Sequence, residues 1–279
     1  MKYSMIKAVD IETVVREYSQ SRTRLILLDY DGTLVPFNPD YRLTVPAENV
    51  ISLLHELAAD TKNSVILISG RDRHYLEGYF KNAPFTLVAE HGGYYKNSKS
   101  AWNTMFAVSM NWIPQALAAL QALVFQYEGS YVEQKTFSVA WHYRTIAERI
   151  TESDRRQIIG ALRAMPEYGQ FVIYDGGFTV ELRTPGIDKG SFVSRWVGGR
   201  YFDFIMSIGD GQTDEDVFRI LRDDAYSIKV GRSDDTSANF YLESQQGVLP
   251  FLLNLLERKE IKSTFRTPNE WESVRKQTS

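Results

Sequence analysis

Leu25-Ile26-Leu27-Leu28-Asp29-Tyr30-Asp31-Gly32-Thr33-Leu34-Val35 is an apolar run that stops at two carboxylates one residue apart. Four consecutive aliphatic residues ending in a Gly-containing turn predict a strand buried on both faces, as in the middle of a parallel sheet. In open α/β sheets ligands bind beyond the carboxyl ends of the strands, so Asp29 and Asp31 stand where a reaction centre belongs. On an extended backbone the i, i+2 spacing points both side chains to one side, and adjacent carboxylates repel unless a cation or a shared proton relieves them. Mg2+ suits such a pair, because it takes oxygen ligands and commonly binds one or two carboxylates together with substrate phosphate. A solvated Asp-Tyr-Asp-Gly turn is the plainer alternative, since Asp and Gly favour turns in any case.

The flanking segments extend the same architecture. Residues 10–20 place Ile11, Val14, Val15 and Tyr18 on one helical face with Asp10 as N-cap. Pro36-Phe37-Asn38-Pro39-Asp40 predicts a loop lying over the strand end. Val50, Leu53, Leu54 and Leu57 restore helical spacing within 46–60, and Ser64-Val65-Ile66-Leu67-Ile68-Ser69-Gly70-Arg71 is a second buried strand ending in small polar groups. Strand, helix, strand is the start of a parallel sheet. Ser69 alone reads equally well as a helix cap, but Gly70 allows close backbone approach and Arg71 suits phosphate. Thr86-Leu87-Val88-Ala89-Glu90-His91-Gly92-Gly93 makes a third strand with a polar, glycine-rich end.

The middle of the chain changes character. Residues 105–127 have helical periodicity, and 131–144 alternate as one strand. On that strand Glu133 and Lys135 share a face with Phe137, Val139, Trp141 and Tyr143, and a bulge or twist is needed to bring His142 and Arg144 to the ligand side. Residues 147–164 predict a further helix, and 171–174 with 178–183 a hairpin around Asp175-Gly176-Gly177. An antiparallel sheet with helices, inserted in a parallel-sheet protein, predicts a separate cap. Its Glu-x-Lys pair reads, taken alone, as a cross-strand salt bridge.

Core character then resumes. Lys189 opens a helix after Pro185-Gly186-Ile187-Asp188, where the macrodipole disfavours a cation unless an anion lies nearby. A surface lysine is the alternative. Strands are predicted at 201–207 and 225–231, with the acidic turn Gly209-Asp210-Gly211-Gln212-Thr213-Asp214 after the first of them. Acids decorating a helix N-terminus explain Glu215 and Asp216 but explain Asp210 poorly. A last amphipathic helix covers 247–257, and a loosely held polar tail is expected from 258.

Composition narrows the function classes. With 279 residues, 43% of them hydrophobic and 24% charged, the chain is long enough for one large or two modest domains. A net charge of −3 supplies no basic footprint for nucleic acid. Zero cysteines exclude disulfides, thiolate catalysis and thiolate-bound metals. No apolar run approaches a membrane span and no signal-like segment opens the sequence, so the cytoplasm is the expected address, without nucleic-acid or membrane partners.

Asp29-x-Asp31-Gly32-Thr33, Ser69, Lys189 and Gly209-Asp210-x-x-x-Asp214 occur in the order of the four motifs of the haloacid dehalogenase (HAD) superfamily, which the chain resembles. Together with Ala89-Glu90-His91-Gly92-Gly93, Val132-Glu133-Gln134-Lys135 and Val180-Glu181-Leu182-Arg183, they are similar to trehalose-6-phosphate phosphatases from about residue 24 to 255. The resemblance implies an α/β protein with a HAD-type Rossmann-like parallel-sheet core (1–104 and 185–279) and an inserted α+β, C2-type cap (105–184). It implies a Mg2+-dependent phosphatase that cleaves trehalose 6-phosphate through an aspartyl-phosphate. Asp29 would be the nucleophile, Asp31 the general acid and base, and Ser69 and Lys189 the holders of the phosphoryl oxygens. Asp29, the Asp31 carbonyl, Asp210 and Asp214 would serve the metal. Thr33, Gly70, Arg71, His91, Glu133, Lys135, His142, Arg144 and Glu181 would bind substrate. One position departs: Gly211 stands where many relatives carry a second Asp, which leaves the metal's outer shell open. Other HAD sugar phosphatases, for sucrose or mannosylglycerate phosphates, share these core motifs. A non-catalytic phosphosugar-binding module associated with a trehalose-6-phosphate synthase would share the fold, and a synthase partner is a further expectation.

Overall fold

Residues 24–29 form the predicted strand, and its alternate side chains enter different cores. Ile26 and Leu28 pack on one side of the sheet and Leu25 and Leu27 on the other, all fully buried, which is why the run is apolar throughout instead of alternating. Full burial of each such side chain contributes about 1.5–3 kcal/mol. The structure, a computed structural model, describes residues 6–38, 43–221 and 225–264, with side chains up to Glu257.

In chain order the first elements are β1 (Lys7–Ala8), α1 (Ile11–Gln20), β2 (Arg24–Asp29), α2 (Glu48–Ala59), β3 (Asn63–Ile68), α3 (Arg73–Phe80), β4 (Thr86–Ala89) and β5 (Tyr94–Lys96). The middle supplies α4 (Ile113–Gln126), β6 (Tyr131–Gln134), β7 (Ser138–His142), α5 (Glu152–Arg163), β8 (Val172–Asp175) and β9 (Thr179–Arg183). The last are α6 (Lys189–Val197), β10 (Phe204–Gly209), α7 (Glu215–Leu221), β11 (Tyr226–Val230), β12 (Phe240–Leu242) and α8 (Val248–Thr264).

Eight strands form one sheet in the order β1-β12-β11-β10-β2-β3-β4-β5, parallel except for β5. From β2 the chain builds outward through β3 and β4, then returns to build the other half from β10. The crevice between β2 and β10 is therefore the point where strand order reverses, the expected place for a ligand. Asp29 ends β2 and Asp210 directly follows β10, so topology alone brings them together.

The segment between β5 and α6 forms a second, four-stranded antiparallel sheet, β6-β7-β9-β8. Trp141, Val139, Val180 and Leu182 on one of its faces pack with Trp112, Ala116 and Leu120 of the α4 region and Ile158 and Leu162 of α5. Three expectations are corrected here. Residues 105–112 are not helical: α4 begins at Ile113 with Pro114 in its first turn, the place where a missing N–H costs least. Residues 131–144 are a hairpin and not one strand, because the chain reverses at 135–137. Parity therefore changes at the turn, and Glu133 lies opposite Ala140 and away from Val139, Trp141 and Tyr143. The helix expected at 147–164 begins only at Glu152, where Thr151 and Asp154 form a capping box.

The last helix runs to Thr264, past the 257 expected for it, and residues 265–279 of the expected tail lie outside the described residues. So do residues 39 and 40 of the loop expected at 36–40. Among the described residues no helix is long and apolar enough to cross a membrane.

Candidate active site

The turn after β2 closes tightly, with the Leu34 and Val35 amides donating to the Tyr30 carbonyl at 2.9 and 3.1 Å. Gly32 takes a φ of 79°, and a Cβ there would lie 2.2 Å from Asp210 Oδ2, so both conformation and space demand glycine. This close approach joins the loops that follow β2 and β10.

Lys189, the first residue of α6, donates from its buried ammonium to Asp29 Oδ1 at 2.5 Å and Asp214 Oδ1 at 2.9 Å. Those carboxylates are the anionic partners that its position at a helix start requires. Thr33 Oγ1 donates to Asp29 Oδ2 at 3.1 Å and lies 3.4 Å from Asp210 Oδ1, and the Gly211 amide donates to Asp214 Oδ2 at 3.0 Å. Burial, and next the Asp214 charge, push the Asp29 carboxyl well above the usual carboxylate range against the pull of Lys189. Burial and Asp214 raise Asp210 as well. Burial alone would lower the Lys189 ammonium, but Asp214 and Asp29 outweigh it and hold it raised. Asp29, Asp210 and Asp214 each present an oxygen within 4.8 Å of the others. Three carboxylates facing one lysine leave a concentrated negative charge built only of hard oxygen donors, which fits a small divalent cation such as Mg2+.

Asp31 points away from that cluster. Arg71 grips its carboxylate with two hydrogen bonds, Nε to Oδ2 at 2.8 Å and Nη2 to Oδ1 at 2.5 Å, while stacking over Tyr75. The Arg71 expected to meet phosphate thus orients Asp31. Ser69 is buried at the end of β3, where its Oγ accepts from the Arg71 amide at 3.1 Å and keeps its own proton to donate.

A cavity of about 320 Å³ separates this edge from the charged face of the antiparallel sheet. Asp31, Gly70, Arg71 and His91 line it from the large sheet, and Glu133, Lys135, His142 and Arg144 from the other side. Its size is within the range that encloses small molecules. The hairpin register puts Glu133 and His142 on one face without any bulge, since Glu133 pairs with Ala140 and Tyr131 with His142. His142 Nε2 donates to Glu133 Oε2 at 2.9 Å, and Thr179 Oγ1 donates to His142 Nδ1 at 3.2 Å, a tautomer that satisfies both. Burial would raise the Glu133 carboxyl, but Lys135, 3.4 Å away, and the His142 bond hold it below its ordinary value. Burial would lower Lys135, but Glu133 and Glu181 keep it raised. The pair is therefore charged although both side chains are largely buried. Arg144 lies over the rings of Phe178 and Phe37 at the rim, 4.2 and 4.6 Å from their centroids.

Thr33 and Glu181 do not line the cavity. Thr33 sits beneath Asp29, and Glu181 lies behind Arg183, whose guanidinium bonds its Oε2 from both Nε and Nη2. Arg183 does line the cavity and was missed, as was Thr179. The i, i+2 spacing of Glu181 and Arg183, with Thr179 two residues before, was the available signal, because all three share one strand face. Glu181 Oε1 and Arg183 Nη1 are buried without a hydrogen-bond partner among the described residues. Burial, then the Arg183 charge, hold His91 well below the ordinary histidine range and hence neutral.

A family model described as trehalose-phosphatase matches residues 27–246. Over 250 residues the chain is 33% identical to a bifunctional trehalose-6-phosphate synthase/phosphatase of Thermoproteus tenax, covering 90% of this chain and 34% of that protein. Over 244 residues it is 29% identical to the trehalose-phosphatase of Saccharomyces cerevisiae, covering 79% of this chain and 27% of the relative. The chain thus spans about a third of the length of these curated relatives. Its structure resembles the C-terminal domain of the C. albicans trehalose-6-phosphate phosphatase with a TM-score of 0.81 at 27% identity, covering 90% of this chain and 99% of that one.

Proposed function

The chain belongs to the trehalose-phosphatase family, and from that premise we propose that it hydrolyses trehalose 6-phosphate to trehalose and phosphate. The observation that carries this reading is the single cavity in which the Asp31–Arg71 edge faces the Glu133–Lys135 pair, so that one end suits a phosphate ester and the other a sugar.

We read residues 105–184 as a cap over the core. The Asp29 carboxylate attacks phosphorus, the bond from phosphorus to the sugar oxygen breaks, and Asp31 gives a proton to the leaving oxygen. Asp31 then takes a proton from the water that attacks the aspartyl-phosphate, returning Asp29 and releasing phosphate. Arg71 orients Asp31, which enters the first transfer as the protonated acid and leaves it as the carboxylate that serves as base in the second. Lys189 and the Ser69 hydroxyl face the phosphoryl oxygens as charge shifts among them. Asp29, Asp210 and Asp214, with the Asp31 carbonyl, would hold Mg2+, which when bound supplies positive charge between two sets of anions. Glu133, Lys135 and Arg183, the last held from behind by Glu181, offer acceptors and donors to sugar hydroxyls.

A panel of sugar phosphates with Mg2+ tests the reading: trehalose 6-phosphate should exceed sucrose and mannosylglycerate phosphates and glucose 6-phosphate in kcat/KM. A better monosaccharide or sucrose ester would overturn the substrate, and absence of phosphate release would leave a binding module. Because relatives of this chain carry a synthase in the same polypeptide, co-elution with a trehalose-6-phosphate synthase is the corresponding test for a partner.

A further inference from the structure

Glu90 lies at the end of β4, buried, in a left-handed conformation with φ 50° that a non-glycine residue adopts only when its surroundings impose it. Its backbone is tied to the phosphate-facing edge: the Glu90 amide donates to the Arg71 carbonyl at 2.9 Å, and the His91 amide to the Ser69 carbonyl at 2.9 Å. Its side chain reaches the other way. Glu90 Oε2 accepts the Thr136 amide at 2.8 Å and the Phe137 amide at 3.1 Å, both in the turn of the β6–β7 hairpin.

The same turn is held from its other flank. Thr184 donates to the Phe137 carbonyl from its amide at 2.9 Å and from Oγ1 at 3.0 Å. The Phe137 ring packs with Phe106 and Ile187, and it lies so close to Gly93 that a Cβ there would meet it at 2.3 Å. On the remaining side there is little packing: a cleft of about 410 Å³, lined by Asp72 and Arg73 at the start of α3 and by Lys135 and Thr136, opens beside Glu90. Two amide hydrogen bonds to one oxygen thus tie the hairpin tip to the strand ends across a seam that is open on one side.

We propose that Glu90 is a positioning residue: by accepting the Thr136 and Phe137 amides it fixes the hairpin turn against the Ser69–Arg71 edge and so sets where Lys135 and Glu133 meet the sugar. This rests on the reading of the cavity as a phosphosugar site. For the turn itself the needed property is an acceptor at the right reach, because both donors are neutral amides, while the Glu90 charge also acts on the ammonium of Lys135.

The test compares Glu90→Ala, Glu90→Asp and Glu90→Gln with wild type by hydrogen exchange of the ligand-free protein and by kinetics with Mg2+ on trehalose 6-phosphate and p-nitrophenyl phosphate. Aspartate keeps the charge but withdraws the acceptor by one methylene, and it keeps the test standing if the alanine variant does not fold. Ala and Asp should speed exchange at residues 134–138 while 139–142 stay protected. They should lower kcat/KM for the disaccharide ester roughly tenfold, mainly through KM, with the aryl phosphate within about twofold. Gln should restore the exchange protection of the turn and most of kcat/KM, short of the share that the Glu90 charge lends Lys135. Unchanged exchange in the turn, equal losses on both substrates, or failure of Gln to rescue would each overturn the proposal. If wild type releases phosphate from the aryl ester but not from trehalose 6-phosphate, the functional reading fails, and the exchange measurement alone decides whether Glu90 holds the turn.

Discussion

Asp29 is buried beside Asp214 and Asp210, so its ionised form exists at a cost that Lys189 only partly offsets. Asp29→Asn removes the proposed nucleophile while relieving that charge. Turnover should fall by on the order of 10⁴-fold or more, with Tm within about 4 °C of wild type; retained turnover would contradict covalent catalysis by this group. Lys189→Met has the opposite character, since it leaves three facing carboxylates without their buried cation. It should cost about 3–5 kcal/mol in chemical denaturation, and added Mg2+ should recover part of that loss if the cluster binds the metal. Loss unaffected by Mg2+ would count against the cluster as the metal site. Asp29, Asp31 and Asp210 were legible in the sequence because they close buried strands, and Lys189 because a helix start disfavours a cation; Asp214, at a helix start that favours acids, was legible only through its spacing from Asp210. Arg183 was not, because an arginine two residues after a glutamate on a strand looks like an ordinary surface pair until the strand is known to face a cavity. Nor could sequence show that Arg71 would be engaged by Asp31, which depends on the loop geometry after β2.

Among elements, β9 holds one strongly depressed carboxyl, Glu181. Burial alone would raise the Glu181 carboxyl, but Arg183, then Lys135, outweigh it and hold it far below its ordinary value of 4.5. The folded form therefore binds fewer protons than the unfolded chain. Its stabilising contribution is complete above about 4.5 and is lost as pH falls through the depressed folded-state value. Glu181→Gln should be less stable than wild type near neutrality, where Arg183 loses its partner, and should lose less stability on acidification below 4.5 in a Tm-versus-pH series. Parallel curves would contradict the assignment. The strands of the large sheet were readable as apolar runs because both faces are covered, and α1 because Asp10 caps it as expected. The β6–β7 hairpin was not readable, since Lys135-Thr136-Phe137 contains no Gly, Asn or Pro and its reversal is held by the distant groups Glu90 and Thr184. The short edge strands β1 and β5, and β12 beside β1, have too few residues to show a period.

At the scale of the molecule, the order of the strands could not be read from any segment, yet it is what joins the two halves of the site. Asp29 and Asp210 are neighbours because β2 pairs with β10, a contact between residues about 180 apart in sequence. The fold class and the two-sheet division were legible from the change from buried runs to alternation near residue 131. The face that the smaller sheet turns toward the core followed only from the hairpin register. The central claim is that this sheet reads the sugar while the strand ends do the chemistry. Lys135→Ala tests it most directly, with trehalose 6-phosphate and p-nitrophenyl phosphate measured side by side in Mg2+. The lost charged hydrogen bond corresponds to about 1.5–3 kcal/mol, so kcat/KM for the disaccharide ester should fall roughly tenfold to a hundredfold while the aryl phosphate, which has no sugar hydroxyl to bond Lys135, keeps its rate. Equal losses on the two substrates would contradict the account, because Lys135 would then support the fold or the chemistry and not the recognition of the sugar.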